Sequence, residues 1–430
     1  MTTAMTQHKI KLRGRLPDEP PIPTHVPPEL VMEPIDWEEP NTFADPYIIT
    51  ERVLDELPPI FFSPRPRFGV ADPCWVVTHY ADIRNVYEKG DLYSSRGQAG
   101  FNRLVGETFL MLPLGVDAPE HSKYRNFLNP KFSPRAINAL ETSIRAMIDE
   151  LIDGFIDKGQ CDAAHDFGRV YPVRVFLNLM GFPQSMLDEF LSWGYAILHS
   201  HGNIEKIQWG IGSAIAWLRG FIEETRKNPS DNLASHIVHG EIDGKRLNDD
   251  EVIGMMTFLW IGGLDTVAAT TSLMLRRLAM QPDLQQNLRA HPELINNAVE
   301  EFLRMEPLVN SARLVLKDHE IRGVQIKAGD YITCANNVGN FDPEQFPNPR
   351  EFRLDRTVNR HFSFSGGPHL CLGVHLARRS SRETLPPVHP APCGTAVRGA
   401  GIRREQCAIH AAPDARRGTD AVRPKTRSDG

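Results

Sequence analysis

The chain has 430 residues, of which 41% are hydrophobic and 24% are charged, and its formal net charge is -6 at pH 7. These values are typical of a soluble globular protein with a sizeable core, and the negative balance argues against nucleic acid as the main partner. The longest apolar run, Ile253 to Leu264, is shorter than the roughly 18 residues that a membrane span needs. The length fits either one large domain or two smaller ones.

The beginning of the chain and its cysteines bear on the cellular compartment. Residues 1–24 are rich in proline and lack the apolar stretch of a signal peptide, which predicts an extended strap and no export. The six cysteines are scattered, with no CxxC pair and no disulfide-framework spacing. Both features favour a protein of the reducing cytoplasm.

Helical periodicity dominates the rest of the chain. Apolar residues three and four positions apart predict helices over Ile137 to Lys158 and Ile211 to Arg226. Strand-like runs are short and lie near residues 74–80 and within residues 312–336. No repeat or low-complexity linker divides the middle of the chain. We therefore predict a mainly α fold with small β-sheets, formed as one domain over residues 25–379.

Residues Asn248 to Met280 predict an unusually long helix, with an N-cap candidate and an acidic first turn at its start. A helix of about 30 residues would be roughly 45 Å long, which is enough to cross a whole domain. The Gly262-Gly263 pair at its middle costs roughly 1 kcal/mol per glycine relative to alanine. Close helix packing or a ligand could offset that cost. Asp265 and Thr266 favour the ligand, because a carboxylate and a hydroxyl beside a glycine groove could pass protons to it.

The stretch FSFSGGPHLCLG, residues Phe362 to Gly373, places one cysteine in a glycine-rich loop directly before a helical segment. Glycines let the backbone approach a flat ligand closely, and the free amides at the helix start favour a thiolate at Cys371. Such a thiolate is a metal ligand or a nucleophile, whereas a single cysteine is usually buried and inert. His369 is close enough to act as a base, but catalytic cysteines usually take their histidine from elsewhere in the sequence.

This loop resembles the haem-binding loop of the cytochrome P450 monooxygenases, and the matching residues are Phe364, Gly367, His369, Cys371 and Gly373. Gly262, Gly263 and the three residues after them resemble the oxygen-binding groove of that family's central helix. Glu301 and Arg304 resemble the Glu-x-x-Arg pair that braces the haem-loop side, although such a pair, taken alone, is usually a surface ion pair.

Residues 117–125 resemble the segment of the family whose histidine and arginine hold the haem propionates. The resemblance therefore assigns the two propionates to four cations: His121, Arg125, Arg313 and His369. Each of these is otherwise an ordinary surface cation, but four of them converging on two carboxylates would make charge-assisted hydrogen bonds.

The resemblance covers about residues 25–379 and is strongest to the soluble bacterial camphor-hydroxylase group. It implies the cytochrome P450 fold, one large triangular domain with haem b between the central helix and the cysteine loop, and Cys371 as the axial iron ligand. It also implies a monooxygenase that inserts one oxygen atom from O2 into a C–H bond, with Asp265 and Thr266 delivering protons.

Electrons would come singly from an iron-sulfur ferredoxin and its NAD(P)H reductase, because the chain has no fused flavin or ferredoxin segment of its own. An acidic ferredoxin is expected to dock near basic residues on the cysteine side. The candidates, which are otherwise plain solvated charges, are Arg125, Lys131, Arg378 and Arg379.

By the same resemblance, the substrate pocket is roofed by residues 93–115, the central helix and the segment after Arg304. Its candidate lining residues are apolar and are each more often plain core than pocket: Phe109, Met111, Leu114, Phe258, Ile261 and Val309. Asn102 and Thr108 are the polar groups that could bind a substrate oxygen. These residues predict a small hydrophobic substrate such as a monoterpenoid.

Residues 380–430 depart from the family pattern. They contain no Phe, Tyr, Trp or Met, a composition that cannot bury a core, and Pro386-Pro387 would stop a helix. We predict a reading-frame shift near codon 380, and the alternative is a basic tail that binds nucleic acid or membrane. The tail leaves open that the chain is a catalytically defective haem binder or a misfolded remnant.

Overall fold

The computed structural model describes residues 21–32, 47–64, 73–96, 98, 100–158, 161–200 and 203–385. Residues 1–20 of the predicted strap and residues 386–430 of the predicted tail lie outside these ranges. Helices dominate the described residues, as the sequence predicts. In chain order they are α1 Ile48–Glu56, α2 Tyr80–Glu88, α3 Glu120–Leu128, α4 Pro134–Asn138, α5 Glu141–Ile156, α6 Val170–Met180, α7 Leu187–Leu198, α8 Ile204–Lys227, α9 Leu233–Val238, α10 Asp249–Leu264, α11 Thr266–Met280, α12 Pro282–Ala290, α13 Ile295–Met305, α14 Asn336–Gly339 and α15 Val374–Thr384.

The strands form one five-stranded sheet, in the order β1-β2-β9-β6-β3, and two separate hairpins, β4-β5 and β7-β8. Both predicted strand regions are confirmed, whereas β1, β3 and the β4-β5 hairpin lie outside the predicted regions. The strands are β1 Ile60–Ser63, β2 Cys74–Val77, β3 Tyr93–Ser94, β4 Glu241–Ile242, β5 Lys245–Arg246, β6 Ser311–Val315, β7 His319–Ile321, β8 Val324–Ile326 and β9 Tyr331–Cys334.

The predicted long helix exists, but it is broken. Helix α10 ends at Leu264, Asp265 has φ -101° and ψ -33°, and α11 begins at Thr266. The Thr266 hydroxyl donates to the Gly262 carbonyl at 3.0 Å. A side chain that binds a helix carbonyl in this way competes with the backbone ladder and bends the helix. The single continuous helix predicted over Asn248 to Met280 is therefore wrong at its middle.

Helix α10 forms the centre of the main hydrophobic core. Its start is fixed by a capping box, in which the Asn248 side chain accepts from the Glu251 N–H and the Glu251 side chain accepts from the Asn248 N–H. Almost every following side chain is buried, and Trp260 lies edge-on to Phe190 of α7 with ring centroids 6.0 Å apart. A helix that is apolar on all sides needs other helices around it, and α6, α7, α8 and α9 supply them.

Within the described ranges, Asp249–Met280 is the one segment that is long and apolar enough to cross a membrane. However, 56% of its most apolar window is buried inside the protein. This burial is that of a core helix, whose apolar surface is already covered by its neighbours.

The predicted helix over Ile137 to Lys158 is two helices, α4 and α5, separated by a turn at residues 139–140. The predicted helix over Ile211 to Arg226 lies within the longer α8.

The helix after the cysteine loop, α15, runs through Thr384, past the domain boundary that the sequence predicts at Arg379. Ser380, Ser381 and Glu383 are buried, and Leu385 joins the core formed by α11, α12 and α13. The Glu383 carboxylate lies 2.9 Å from Arg145 Nε and 3.2 Å from Arg379 Nη1. The packed domain therefore extends beyond 379, at least through Leu385, the last residue described in this region.

Candidate functional site

The cysteine loop has a fixed backbone. Ser365 and Gly367 both have φ of +62°, and the Cys371 N–H donates to the Phe364 carbonyl at 3.0 Å. A Cβ at Gly367 would lie 2.1 Å from the Tyr87 carbonyl oxygen of α2. The motif glycine is thus required for its positive φ and for contact with α2. Its role in approach to a ligand stays a prediction.

Cys371 is exposed in the described structure, although many protein atoms lie around it. Burial raises the pKa of the Cys371 thiol, and the Gly373 N–H, Arg125 and Arg378 offset this only partly. The Gly373 N–H at the helix start thus favours the thiolate, while burial opposes it. A metal ion bound to the sulfur would deprotonate it.

A cluster of basic side chains lies beside the cysteine loop. The rings of His121 and His369 are 3.9 Å apart between centroids, and Arg125 Nη1 donates to the Leu370 carbonyl at 2.8 Å. Burial, reinforced by the neighbouring cations, lowers the pKa of His121 to about 4 and that of His369 to about 3. Arg313 contributes to both shifts, so the four predicted cations are close enough to act on one another.

This cluster suits a ligand with carboxylates. The buried His121 Nε2 has no hydrogen-bond partner, and Arg313, although buried, donates to the carbonyl of its own neighbour Ala312. Among the described residues, neither Arg125 nor Arg313 forms a carboxylate ion pair. Arg313 is buried and Arg125 is half-buried, and a guanidinium held in this way without a counter-charge is costly. The two propionates of haem would supply the missing charge. The residues present therefore fit haem.

The two glycines of the central helix have different surroundings. A Cβ at Gly262 would meet no atom of the described residues within 4 Å, whereas a Cβ at Gly263 would lie 2.4 Å from the Phe176 ring. Gly263 is therefore a packing glycine, while Gly262 leaves room beside the Thr266 hydroxyl that binds its carbonyl. Packing therefore explains Gly263, whereas a role of Gly262 in binding a ligand stays a prediction.

Asp265 lies in the break between α10 and α11 and is not isolated. Its Oδ1 lies 3.0 Å from Nε2 of His199, the residue that follows α7. Sequence reasoning missed His199, because 66 positions separate the two residues and no local pattern joins them.

Glu301 and Arg304 form a buried pair and not a surface one. Both side chains are 0% exposed, and the Arg304 guanidinium donates to both Glu301 oxygens at 2.8 and 2.9 Å. Arg356 and Asn359 also donate to Glu301, and Arg304 donates to the Asn340 carbonyl. Burial raises the pKa of Glu301, but these donors and the Arg304 charge outweigh it, so the pKa lies below its usual range.

The candidate pocket residues divide by burial. Phe109 and Met111 are buried in the main core, Phe258 and Ile261 are partly buried against it, and Val309 is 49% exposed. Leu114 is partly buried in the same loop as Phe109 and Met111.

The polar residues of the predicted roof have other roles. Asn102 is fully buried and donates to the Phe109 carbonyl at 2.8 Å, so it braces the loop and is not a free group for substrate. Thr108 is exposed. The loop itself touches the central helix at Gly254, where a Cβ would lie 2.1 Å from the Leu110 carbonyl oxygen.

Three of the four candidate docking cations are already engaged. Arg378 makes two bonds to Glu300, at 2.6 and 2.7 Å, and Arg379 binds Glu141 and Glu383. Arg125 is turned toward the loop. Within the described part of the chain, Lys131 has neither an ion pair nor a hydrogen bond to the loop such as Arg125 makes.

A haem bound through cysteine requires a cysteine sulfur next to basic side chains that can bind two carboxylates, and this site has both. The fold around the site is that of the haem-thiolate class. The sequence profile described as cytochrome P450 matches residues 289–385. The chain is 37% identical to the probable cytochrome P450 127A1 of Sinorhizobium fredii, over 84% of this chain and 87% of that protein. It is 33% identical to a steroid C26-monooxygenase of Mycobacterium tuberculosis, over 74% of this chain and 85% of that protein.

Among solved structures, cytochrome P450 CYP101C1 superposes with a TM-score of 0.73 and 28% identity, over 85% of this chain and 90% of that one. The chain therefore belongs to the cytochrome P450 family, and within it resembles the soluble bacterial camphor-hydroxylase group. Members of the family are haem-thiolate monooxygenases, so the cofactor of this protein is haem b and its activity is that of a monooxygenase.

Proposed function

We propose that Cys371 is the axial ligand of the haem iron and that the protein inserts one oxygen atom from O2 into a C–H bond of a small hydrophobic substrate. The observation that carries this proposal is the exposed Cys371 in its constrained loop, beside four basic side chains without carboxylate partners among the described residues. Haem bound through a cysteine thiolate supplies the activation of O2 and the cleavage of its O–O bond.

The residues of this chain would then have separate roles. His121, Arg125, Arg313 and His369 hold the two propionates, because charge-assisted hydrogen bonds from several donors fix such groups in place. Phe364, Gly367 and Gly373 shape the loop that presents the sulfur. Gly262 and Gly263 form the groove, Gly262 by leaving room and Gly263 by packing.

Thr266 and Asp265 hold and move protons at the groove. The Thr266 hydroxyl gives its hydrogen to the Gly262 carbonyl, which leaves the lone pairs of its oxygen free to accept a hydrogen bond from the groove side. The Asp265 side chain is 36% exposed and lies in the helix break directly before Thr266. Together they connect solvent to the groove in two steps.

The axial ligand is tested by Cys371→Ala, compared with Cys334→Ala. Wild type and Cys334→Ala are expected to give the red-shifted ferrous-CO absorption band of thiolate-ligated haem, and Cys371→Ala is expected to lose it. Cys334 is a suitable control because it is buried in β9 and packs among hydrophobic side chains. A Cys371→Ala protein that keeps the band would contradict the assignment.

The proton role is tested by Thr266→Ala. We expect this variant to consume reductant and release hydrogen peroxide instead of product, because the groove then lacks the hydroxyl that holds a proton near the reacting oxygen. The measurement is the ratio of product formed to reductant consumed. Thr266→Ser, which keeps the hydroxyl, serves as the control, and an Ala variant with an unchanged ratio would remove Thr266 from the mechanism.

For the substrate we propose a compact, weakly polar molecule of the monoterpenoid class. The candidate lining residues are apolar, and Asn102 is occupied by the Phe109 carbonyl, so shape would select the substrate more than hydrogen bonding. The steroid C26-monooxygenase relative favours a steroid as the second candidate. Titration of the ferric protein with each class, followed by the spin-state change of the haem spectrum, distinguishes them, since only a compound that enters the pocket produces the change.

For the electron donor we propose an iron-sulfur ferredoxin with its NAD(P)H reductase, acting in the cytoplasm. Lys131 is the basic candidate that no ion pair or loop contact engages among the described residues, and a complementary acidic partner would associate faster at low salt. We expect the rate at which ferredoxin reduces the protein, measured by stopped flow, to be lower for Lys131→Glu than for wild type. A variant that is reduced at the wild-type rate, independently of salt, would rule this docking site out.

The described residues give no support to a defective haem binder or misfolded remnant. The helix after Cys371 is formed through Thr384 and its end is buried. A cooperative thermal transition with retained haem is expected of the purified protein, whereas early haem loss and broad melting would favour the alternative.

A further inference from the structure

His199 lies at the junction of two elements that are distant in sequence. It is the residue after α7, and its Nε2 is 3.0 Å from Asp265 Oδ1 in the break of the central helix. The ring of Tyr195, one turn earlier in α7, stacks on the His199 ring at 5.1 Å with an interplanar angle of 19°. The Arg169 guanidinium in turn lies 5.7 Å from the centre of the Tyr195 ring. The imidazole is thus oriented from both sides.

His199 is also in contact with solvent. Its side chain is 44% exposed and that of Asp265 is 36% exposed, so His199 can exchange protons with water while it remains bonded to the carboxylate. Histidine is the side chain whose proton exchange falls near neutral pH, which a lysine or arginine in the same place could not offer.

The charges around His199 favour this exchange near neutral pH. Among the described residues, the charged groups that act on it are Asp265, across the hydrogen bond, and Arg169, at the end of the ring stack. The Asp265 hydrogen bond, opposed by burial and by Arg169, raises the pKa of His199 above its ordinary value of 6.5. His199 therefore keeps its proton to a higher pH than a free histidine and loses it as the pH rises.

We infer that His199 is a positioning residue for Asp265, holding its carboxylate in the helix break and passing protons from solvent to it. The path then runs from water to His199, to Asp265 and to Thr266. For each proton that His199 gives to Asp265, it accepts one proton from water, so its protonation state is the same before and after each transfer. This inference rests on the proposed roles of Asp265 and Thr266.

The first test measures His199 without turnover. In the diamagnetic ferrous-CO protein, the NMR titration of the His199 imidazole, assigned by its absence in His199→Gln, is expected to give a pKa above 6.5. In Asp265→Asn that pKa is expected to fall. An unchanged titration in Asp265→Asn would overturn the contact. The same sample reports the thiolate-ligated CO band, so failure of the haem assignment is recognised separately.

The second test follows the reaction. In wild type, the ratio of product to reductant consumed is expected to decline as pH rises through the pKa of His199. In His199→Gln, which can donate a hydrogen bond but does not titrate, we expect product formation to fall about tenfold or more and to lose this pH dependence. His199→Lys keeps the ion pair with Asp265 but does not exchange its proton near neutral pH, so it is expected to behave like the Gln variant.

Two outcomes would overturn the inference. A His199→Gln enzyme with the wild-type pH profile would show that His199 does not supply protons. A His199→Lys enzyme with wild-type coupling would show that holding Asp265 is sufficient and that proton transfer by His199 is not needed. His239→Gln is a control for histidine replacement, because His239 is bonded to Ser235 at the end of α9.

Discussion

Glu301 illustrates how the surroundings of a single side chain change its energetic role. On an exposed helix, a Glu and an Arg three residues apart contribute a few tenths of a kcal/mol. Here the pair is completely buried, and Arg353, Arg356 and Asn359 add donors from a distant loop. The pair therefore ties α13 to the segment that precedes the cysteine loop.

We expect Glu301→Gln to lower the free energy of unfolding by about 3–5 kcal/mol, because Arg304 would be left as a buried charge without its counter-ion. Urea denaturation measures this value. Glu88→Gln is the matched control, since Glu88 pairs with Arg84 four residues away on an exposed helix surface, and its loss is expected to change stability little. Equal effects of the two substitutions would contradict the structural assignment.

The central helix combines packing and function in one break. Gly263 allows α10 to pack against Phe176 of α6, and Gly262, one residue earlier, leaves its side of the helix uncovered by the described residues. The Thr266 hydroxyl satisfies the Gly262 carbonyl, which the bent backbone would otherwise leave without a donor. The element is therefore rigid on its packed side and open on the other.

Alanine substitutions of the two glycines are expected to separate these roles. Gly262→Ala should keep or raise the melting temperature, since alanine is favoured over glycine in a helix by about 1 kcal/mol, while the ratio of product to reductant falls. Gly263→Ala should be destabilised by about 1–3 kcal/mol, because its Cβ would overlap the Phe176 ring. Combining Gly263→Ala with Phe176→Leu should recover part of that loss. The reverse order of stability would refute the assignment.

Charged side chains from separate elements contact one another around the cysteine loop. Glu300 of α13 accepts two bonds from Arg378 of α15 and one contact from His361, which lies before the loop. The Arg378 guanidinium also lies 4.9 Å above the Phe364 ring. Burial raises the pKa of Glu300, but the bonds to His361 and Arg378 outweigh it and lower the pKa to about 2.

This shift predicts how the stability depends on pH. The folded-state pKa lies below the unfolded value, so the contribution of Glu300 to stability is present above about pH 4.5 and is lost as the pH falls toward 2. The difference in denaturation midpoint between wild type and Glu300→Gln should therefore shrink as the pH is lowered from 5 to 3. Glu344→Gln, on an exposed position, is the control. A difference that stays constant or grows would contradict the predicted pKa.

Much of the fold and part of the site could be predicted from local patterns. Helical period, strand-like runs and turn glycines are properties of neighbouring residues, and they are sufficient to predict a mainly α fold and the strands β2 and β6 to β9. The haem loop is predicted only through its resemblance to a known family. The break at Asp265 could not be predicted, because a continuous apolar run fits an unbroken helix equally well.

The sequence determined the chemistry that is available: one cysteine in a constrained loop, a hydroxyl and a carboxylate after a glycine pair, and cations at family positions. The tertiary structure decided which of these groups meet. His199 reaches Asp265, Gly367 reaches Tyr87, and Glu301 becomes buried only because segments far apart in the chain pack together. Burial and charge at a site depend on those long-range contacts, which no local pattern of residues encodes.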